Sequence, residues 1–163
     1  MIVIVIIGVV YTLAITQLKG VEEKKMHPSF LNLKEYLLSF ATEDAERVNL
    51  ICLDDCAKCG VYVDGEKVHE IESFFDENVE IYKYNFLEGM RRAQKAVYFN
   101  EENLQQDLCF SFNVDKNGIS EQLFVRYDEK VYDYTSYLTK TQRYDSLEEA
   151  TRVHEENIER VLR

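Results

Sequence analysis

Apolar residues run almost unbroken from Met1 to Leu18, with Thr12, Thr16 and Gln17 the only clearly polar ones, and Lys19 is the first charged side chain. At about 1.5 Å per residue a helix of this length spans roughly 27 Å, close to the hydrocarbon core of a bilayer. A cleaved signal peptide would open on a basic region and end on a small-x-small site. Nothing basic precedes the run, and TLAITQLKG offers no such site. The pattern predicts one membrane-inserted helix over Met1–Leu18. A charged stretch, KGVEEKKMHP, follows, in which His27-Pro28 interrupts or restarts the helix. Beyond it Leu33, Leu37, Phe40 and Ala41 recur at helical spacing, predicting an amphipathic helix over Ser29–Glu46 that packs on the body.

The period then changes to two. RVNLICL predicts a strand over Val48–Leu53, and GVYVDGEKVHEI predicts a hairpin, because Asp64-Gly65 is a type I′ turn signal between β-rich arms. VEIYKYNF predicts a strand over Val79–Phe86, and KAVYF a short one. LCFSFNV and SEQLFVRY, flanking Asn117-Gly118, predict a second hairpin, and KVYDYTSYL a strand from Lys130. SLEEATRVHEENIERVL closes the chain as a helix, with a capping box of Ser146 and Glu149 and one apolar stripe of Leu147, Ala150, Val153, Ile158 and Val161. Helix first and antiparallel meander afterwards give an α+β reading. It consists of a long N-terminal helix, half membrane and half amphipathic, packed on an antiparallel sheet domain with a C-terminal helix. The division expected is residues 1–46 for the helix and residues 47–163 for the β-rich body.

Charge narrows the partners. Thirty acidic residues against nineteen Lys and Arg leave a formal net charge of −11, which argues against nucleic acid and anionic headgroups. Eleven Tyr and nine Phe argue for a folded chain rather than a disordered one.

Chemistry concentrates in CLDDCAKCG, where Cys52, Cys56 and Cys59 stand, with Cys109 alone in DLCFSF. The C-x3-C-x2-C spacing is the one that holds an iron–sulfur cluster in radical SAM enzymes, but that chemistry needs a large barrel this chain is too short to build. Three Cys plus Cys109 or His69 would complete a zinc set, though only CAKC makes a paired knuckle. A Cys56–Cys59 redox centre lacks the βαβ context it needs. Disulfides in an oxidising compartment are the plainer reading. Of the three possible pairings, Cys56–Cys59 with Cys52–Cys109 is preferred, since one closes a tight loop and the other could tie two strands. His27, His69 and His154 sit in unrelated contexts, and His154, in a charged helix, reads as a surface residue. Asp54-Asp55, Glu101-Glu102 and Glu155-Glu156 read as solvated faces. Asp115, Asn117 and Glu121 invite calcium but lack the EF-hand ladder. No catalytic residue and no cofactor is expected.

IVIVIIGVVYTLAI resembles the N-terminal helix of type IV pilins and type II secretion pseudopilins, with Ile6, Ile7 and Gly8 matching that family's VIVIIG run. In that family a short basic leader, a Gly and a cleavage point precede Phe-Thr-Leu-x-Glu, so the resemblance implies that these lie before Met1. A missing upstream basic flank is also expected because Lys19, Lys24 and Lys25 follow the run and nothing basic precedes it. Over roughly residues 1–70 the order resembles the H-type minor pseudopilins: helix, an acidic-basic pair like Glu46-Arg47, a strand like VNLICL, a Cys/Gly loop, then a hairpin like GVYVDGE. The resemblance implies a structural subunit of a secretion, pilus or DNA-uptake filament. It would be held in the inner membrane by the helix around Met1, Ile7, Gly8 and Leu18, with the body in the periplasm. Its partners would be other subunits, through that helix, and the assembly machinery. The alternative is a single-pass anchored periplasmic binding domain, disulfide- or zinc-stabilised, that joins no filament.

Overall fold

The computed structural model describes residues 26–94, 97–99, 105–137 and 139–162. The expected membrane helix, with Met1, Ile7, Gly8 and Leu18, lies outside these residues, as does Glu101-Glu102. No helix among the described residues is long and apolar enough to cross a membrane. The elements in chain order are α1 (Leu33–Leu38), β1 (Arg47–Leu53), β2 (Lys58–Val63), β3 (Glu66–Glu72), β4 (Glu80–Asn85) and β5 (Gly89–Arg92). They continue with β6 (Val97–Phe99), β7 (Gln105–Asp115), β8 (Phe124–Tyr127), β9 (Lys130–Asp133), β10 (Gln142–Tyr144) and α2 (Leu147–Leu162).

The strands form two five-stranded antiparallel sheets, ordered β3-β2-β1-β7-β6 and β10-β9-β8-β4-β5. Alternation decides how they stack. On β1, Val48, Leu50 and Cys52 are buried while Asn49 and Ile51 are half-buried on the other face. Their cross-strand partners on β7 are Val114, Phe112 and Phe110, so one continuous apolar face results. Leu123, Val125 and Tyr134 join the same cluster from the second sheet. The neighbouring Phe124 points the other way, into a second cluster with Val131, Tyr144 and Ala150 of α2. The second sheet is thus apolar on both faces, and the order of layers is sheet, sheet, helix.

The long N-terminal helix is overturned. The fold is mainly antiparallel β with a short helix near each end, and of the expected Ser29–Glu46 helix only Leu33–Leu38 is α-helical. The cause is local. Asn32 Oδ1 accepts from the Ser29 amide and hydroxyl, and its Nδ2 donates to the His27 carbonyl. The chain after Pro28 is thereby tied into a turn instead of a helix. At the other end Ser39 Oγ donates to the Tyr36 carbonyl, and the Phe40 and Ala41 amides bond three residues back, which tightens and ends the last turn. Phe30, Leu33, Tyr36 and Leu37 are buried in the same core cluster as the strands.

Asp64-Gly65 turns β2 into β3 as expected, both residues at positive φ (49° and 93°). The Asp64 carboxylate also accepts from the Glu46 and Arg47 amides. The second expected hairpin is not one. After Asn117-Gly118 only Ser120 bridges back to Val114, and β8 then pairs with β4 and β9 in the other sheet. The turn chemistry was local and real, but the apolar residues after it, Leu123 and Val125, fill the space between the sheets.

Candidate functional site

Register brings Cys52 and Cys59 directly opposite each other on β1 and β2, with Cα atoms 4.2 Å apart, and they are bonded. The four-residue connection folds back on itself. Asp54 and Cys56 both take positive φ (52° and 63°), the Cys56 amide donates to the Leu53 carbonyl, and the Ala57 amide donates to Asp55 Oδ1. Cys56 is thereby turned toward β7, where it is bonded to Cys109 across a Cα separation of 5.5 Å. The preferred pairing of Cys56 with Cys59 and Cys52 with Cys109 is therefore wrong. Cys59 is already committed, by strand pairing, to face Cys52. All four residues are buried, and their sulfurs leave no thiolate to ligate zinc or iron. His69 is elsewhere, on β3 with its ring stacked on Phe40 at 5.2 Å. Asp115 Oδ1 is used by the Asn117 and Ile119 amides and Glu121 by Lys83, so the suggested calcium ligands hold a turn and a surface ion pair. No group of three metal-ligating side chains occurs among the described residues.

A cleft of about 970 Å³ opens on the other side of the molecule, between the second sheet and the C-terminal half of α2. Its geometry begins at the helix start. Glu149 N donates to Ser146 Oγ, and the Glu149 carboxylate reaches back to the Asp145 amide, fixing where α2 begins. Leu147, Ala150 and Val153 then lie on Phe124, Val131 and Tyr144. The stripe continues through Ile158 and Val161, which line the cleft instead, and Val161 is 86% exposed. Opposite them are the end of β4 with Tyr84 and Phe86, the approach to β8 with Gln122, and the connection after β9 with Thr135, Ser136 and Tyr137.

His154 lines the cleft as well. Its ring meets Tyr84 at 4.7 Å and Phe124 at 5.3 Å, both edge-on, and its Nδ1 lies 3.3 Å from Thr135 Oγ1. Burial lowers its pKa against the opposing pull of Asp133 and Glu155. Thr135 Oγ1 donates to Asp133 Oδ1 at 2.7 Å, a carboxylate that can only accept. Its oxygen is then free to accept from a His154 Nδ1–H, which leaves Nε2 with the lone pair. The surface position expected for His154 is corrected accordingly: its ring is half-buried against Tyr84 and Phe124. Glu155 and Glu156 do stand on the outer side, bonded to Tyr84 and Arg152.

Two buried contacts fix the connection after β9, which lines part of the cleft. The Tyr134 hydroxyl donates to the Phe30 carbonyl, and Lys34 Nζ, itself buried, donates to the Ser136 carbonyl at 3.0 Å. Burial lowers the Lys34 pKa, partly offset by Glu35 and Asp133. The sequence reading missed the cleft altogether. Its signals were His154 at helical spacing from Ala150 and Ile158, and the hydroxyl-rich TSYLTKTQ. No known family, characterised protein or solved structure matches this chain.

Proposed function

We propose that the chain is a non-catalytic binding module, displayed outside the reducing cytosol on a single membrane helix over Met1–Leu18, with the cleft beside α2 as its ligand site. The observation that carries the reading is the pair of buried disulfides. Such bonds persist in oxidising compartments and are rare where glutathione keeps thiols reduced. The apolar run supplies the means of display, and the cleft supplies a large concavity that combines apolar walls with free polar groups. Asp133 is its sole carboxylate lining, and that side chain is engaged by Thr135, so no pair of carboxyl groups lines these walls. The test is made in cells expressing the full chain. It should sediment with membranes, be cleaved by external protease, and take up maleimide only after reductant. Ready labelling without reductant, or a body sheltered from the protease, refutes the reading.

A second reading is supported by the order of elements. The Glu46-Arg47 pair, β1, the Cys/Gly loop and the Asp64-Gly65 hairpin follow one another in an order that resembles the H-type pseudopilins, although the helix before them is short. On this reading the same apolar run bundles with other subunits in a filament. An Ile7→Cys variant oxidised in membranes separates the two. A ladder of cross-linked oligomers supports the filament, and monomer alone supports solitary display.

A further inference from the structure

We infer that the cleft takes a neutral oligosaccharide. The inference rests on the binding-module reading and adds the class of ligand. Three kinds of group converge. Aromatic surface comes from Tyr84, Phe86 and Tyr137, the latter two 73% and 53% exposed. Amides come from Gln122 and Asn157, both exposed and neither bonded to another described residue, and from Gln142, whose Oε1 already accepts from Tyr144. Hydroxyls come from Ser136 and Thr139 at the rim. A pyranose ring presents the matching surface, with C–H faces that lie against aromatic rings and an equatorial belt of hydroxyls that both donate and accept. Amide side chains answer that belt better than ions do, since each offers two donors and an acceptor.

Charge argues the same way. The chain is strongly acidic, yet this cleft is nearly neutral. His154 is held in its uncharged form by burial, Asp133 is turned to Thr135, and Lys83 is tied to Glu121 at 2.6 Å. Arg160 stands at the rim. An anionic ligand would face the field of the whole molecule with little local compensation, and a cationic one would find no free carboxylate in the walls. A purely hydrocarbon ligand would leave the unbonded amides of Gln122 and Asn157 without partners on docking. Volume is adequate for two to three sugar units, since ligand pockets of about 300–1,000 Å³ hold drug-sized molecules. Cleavage is not expected, because hydrolysis of a glycosidic bond uses two carboxyl groups flanking it and Asp133 is alone.

The chain has no Trp, so its emission comes from Tyr, and Tyr84, Tyr137 and Tyr144 of these line the cleft. Cellotetraose, maltotetraose and N-acetylchitotetraose are titrated into the full chain in detergent to about 10 mM, a range that covers millimolar affinity, with tetragalacturonate as the acidic comparison. At least one neutral probe should give a saturable change. Tyr137→Ala and Asn157→Ala, both at exposed positions, should each weaken it at least tenfold while leaving the melting temperature unchanged. Tyr62→Ala on the other sheet should leave it as it was. Silence from all three neutral probes, or binding of tetragalacturonate alone, overturns the inference. Binding that is indifferent to both cleft variants overturns it too. The binding-module reading is judged separately: thiols found reduced in cells would sink the display outside the cytosol even if a sugar binds.

Discussion

Removing the Cys56–Cys109 bond should cost the domain more than removing Cys52–Cys59, by an amount that chain entropy sets. The first closes a separation of 53 residues and the second of 7. In the loop-closure model these correspond to about 4 and about 2.4 kcal/mol of constraint on the unfolded chain. Both pairs are equally buried, so the packing loss on replacement by Ala is similar and the difference of about 1.7 kcal/mol survives it. The perturbation is two double variants, Cys56→Ala with Cys109→Ala, and Cys52→Ala with Cys59→Ala. Urea unfolding at neutral pH gives the midpoint and slope for each, and the slope matters because a less constrained unfolded chain exposes more surface. Against a typical total of 5–15 kcal/mol the larger loss could leave the domain partly unfolded at 37 °C. Equal losses, or a larger loss for the Cys52/Cys59 variant, would refute the entropic account. Connectivity is checked by single variants: Cys56→Ser should liberate a thiol at Cys109, whereas liberation at Cys59 would mean that the pairing is different.

Three further outcomes follow from particular contacts. Tyr134→Phe leaves the Phe30 carbonyl without its donor and should lower stability by about 1–3 kcal/mol in the same urea assay; no loss would mean the bond is not made in solution. Gly65→Ala forces a side chain into a turn position at φ 93° and should cost about 1–2 kcal/mol, read as a fall in melting temperature. Burial lowers the pKa of His154 in the folded state. As pH falls through the unfolded value of about 6.5, the unfolded chain takes up a proton that the native one refuses, so stability drops on acidification. The slope of melting temperature between about pH 8 and 5 should be shallower in His154→Gln, and an unchanged slope would refute the assignment.

What was legible in the sequence is what short stretches decide. Asp64-Gly65 names its own turn type, and Ser146 with Glu149 names the start of α2, because in both cases the side chains that matter bond to backbone a few residues away. Leu33, Leu37, Phe40 and Ala41 misled, since apolar spacing shows which side of a segment is buried and not how far the helix runs. Asn32 and Ser39 ended it at both sides through bonds that periodicity does not register. The strands on either side of Asp128-Glu129 were expected, but not their pairing as a hairpin, because both turn residues hold positive φ without a glycine. Disulfide pairing depended on β1–β2 register, a long-range outcome. The cleft was least legible of all. Its walls come from β4, the approach to β8, the connection after β9, β10 and α2, and each piece taken alone reads as an ordinary surface.

The Cys56–Cys109 bond also makes a covalent ring whose perimeter includes β2 through β6, and those strands come from both sheets. Phe86 and Leu87, at the exposed tip between β4 and β5, lie inside that perimeter. A protease cutting there would produce two pieces, one carrying Cys56 and the other Cys109, that cannot diffuse apart. The severed ends stay at a high effective concentration, so β4 keeps finding β8 and the sheet re-forms around the cut. A single nick is then survivable, and it is silent on a non-reducing gel. Only the combination of a nick and a reductant would dismantle the fold, which makes the bond a tolerance for damage as much as a source of stability.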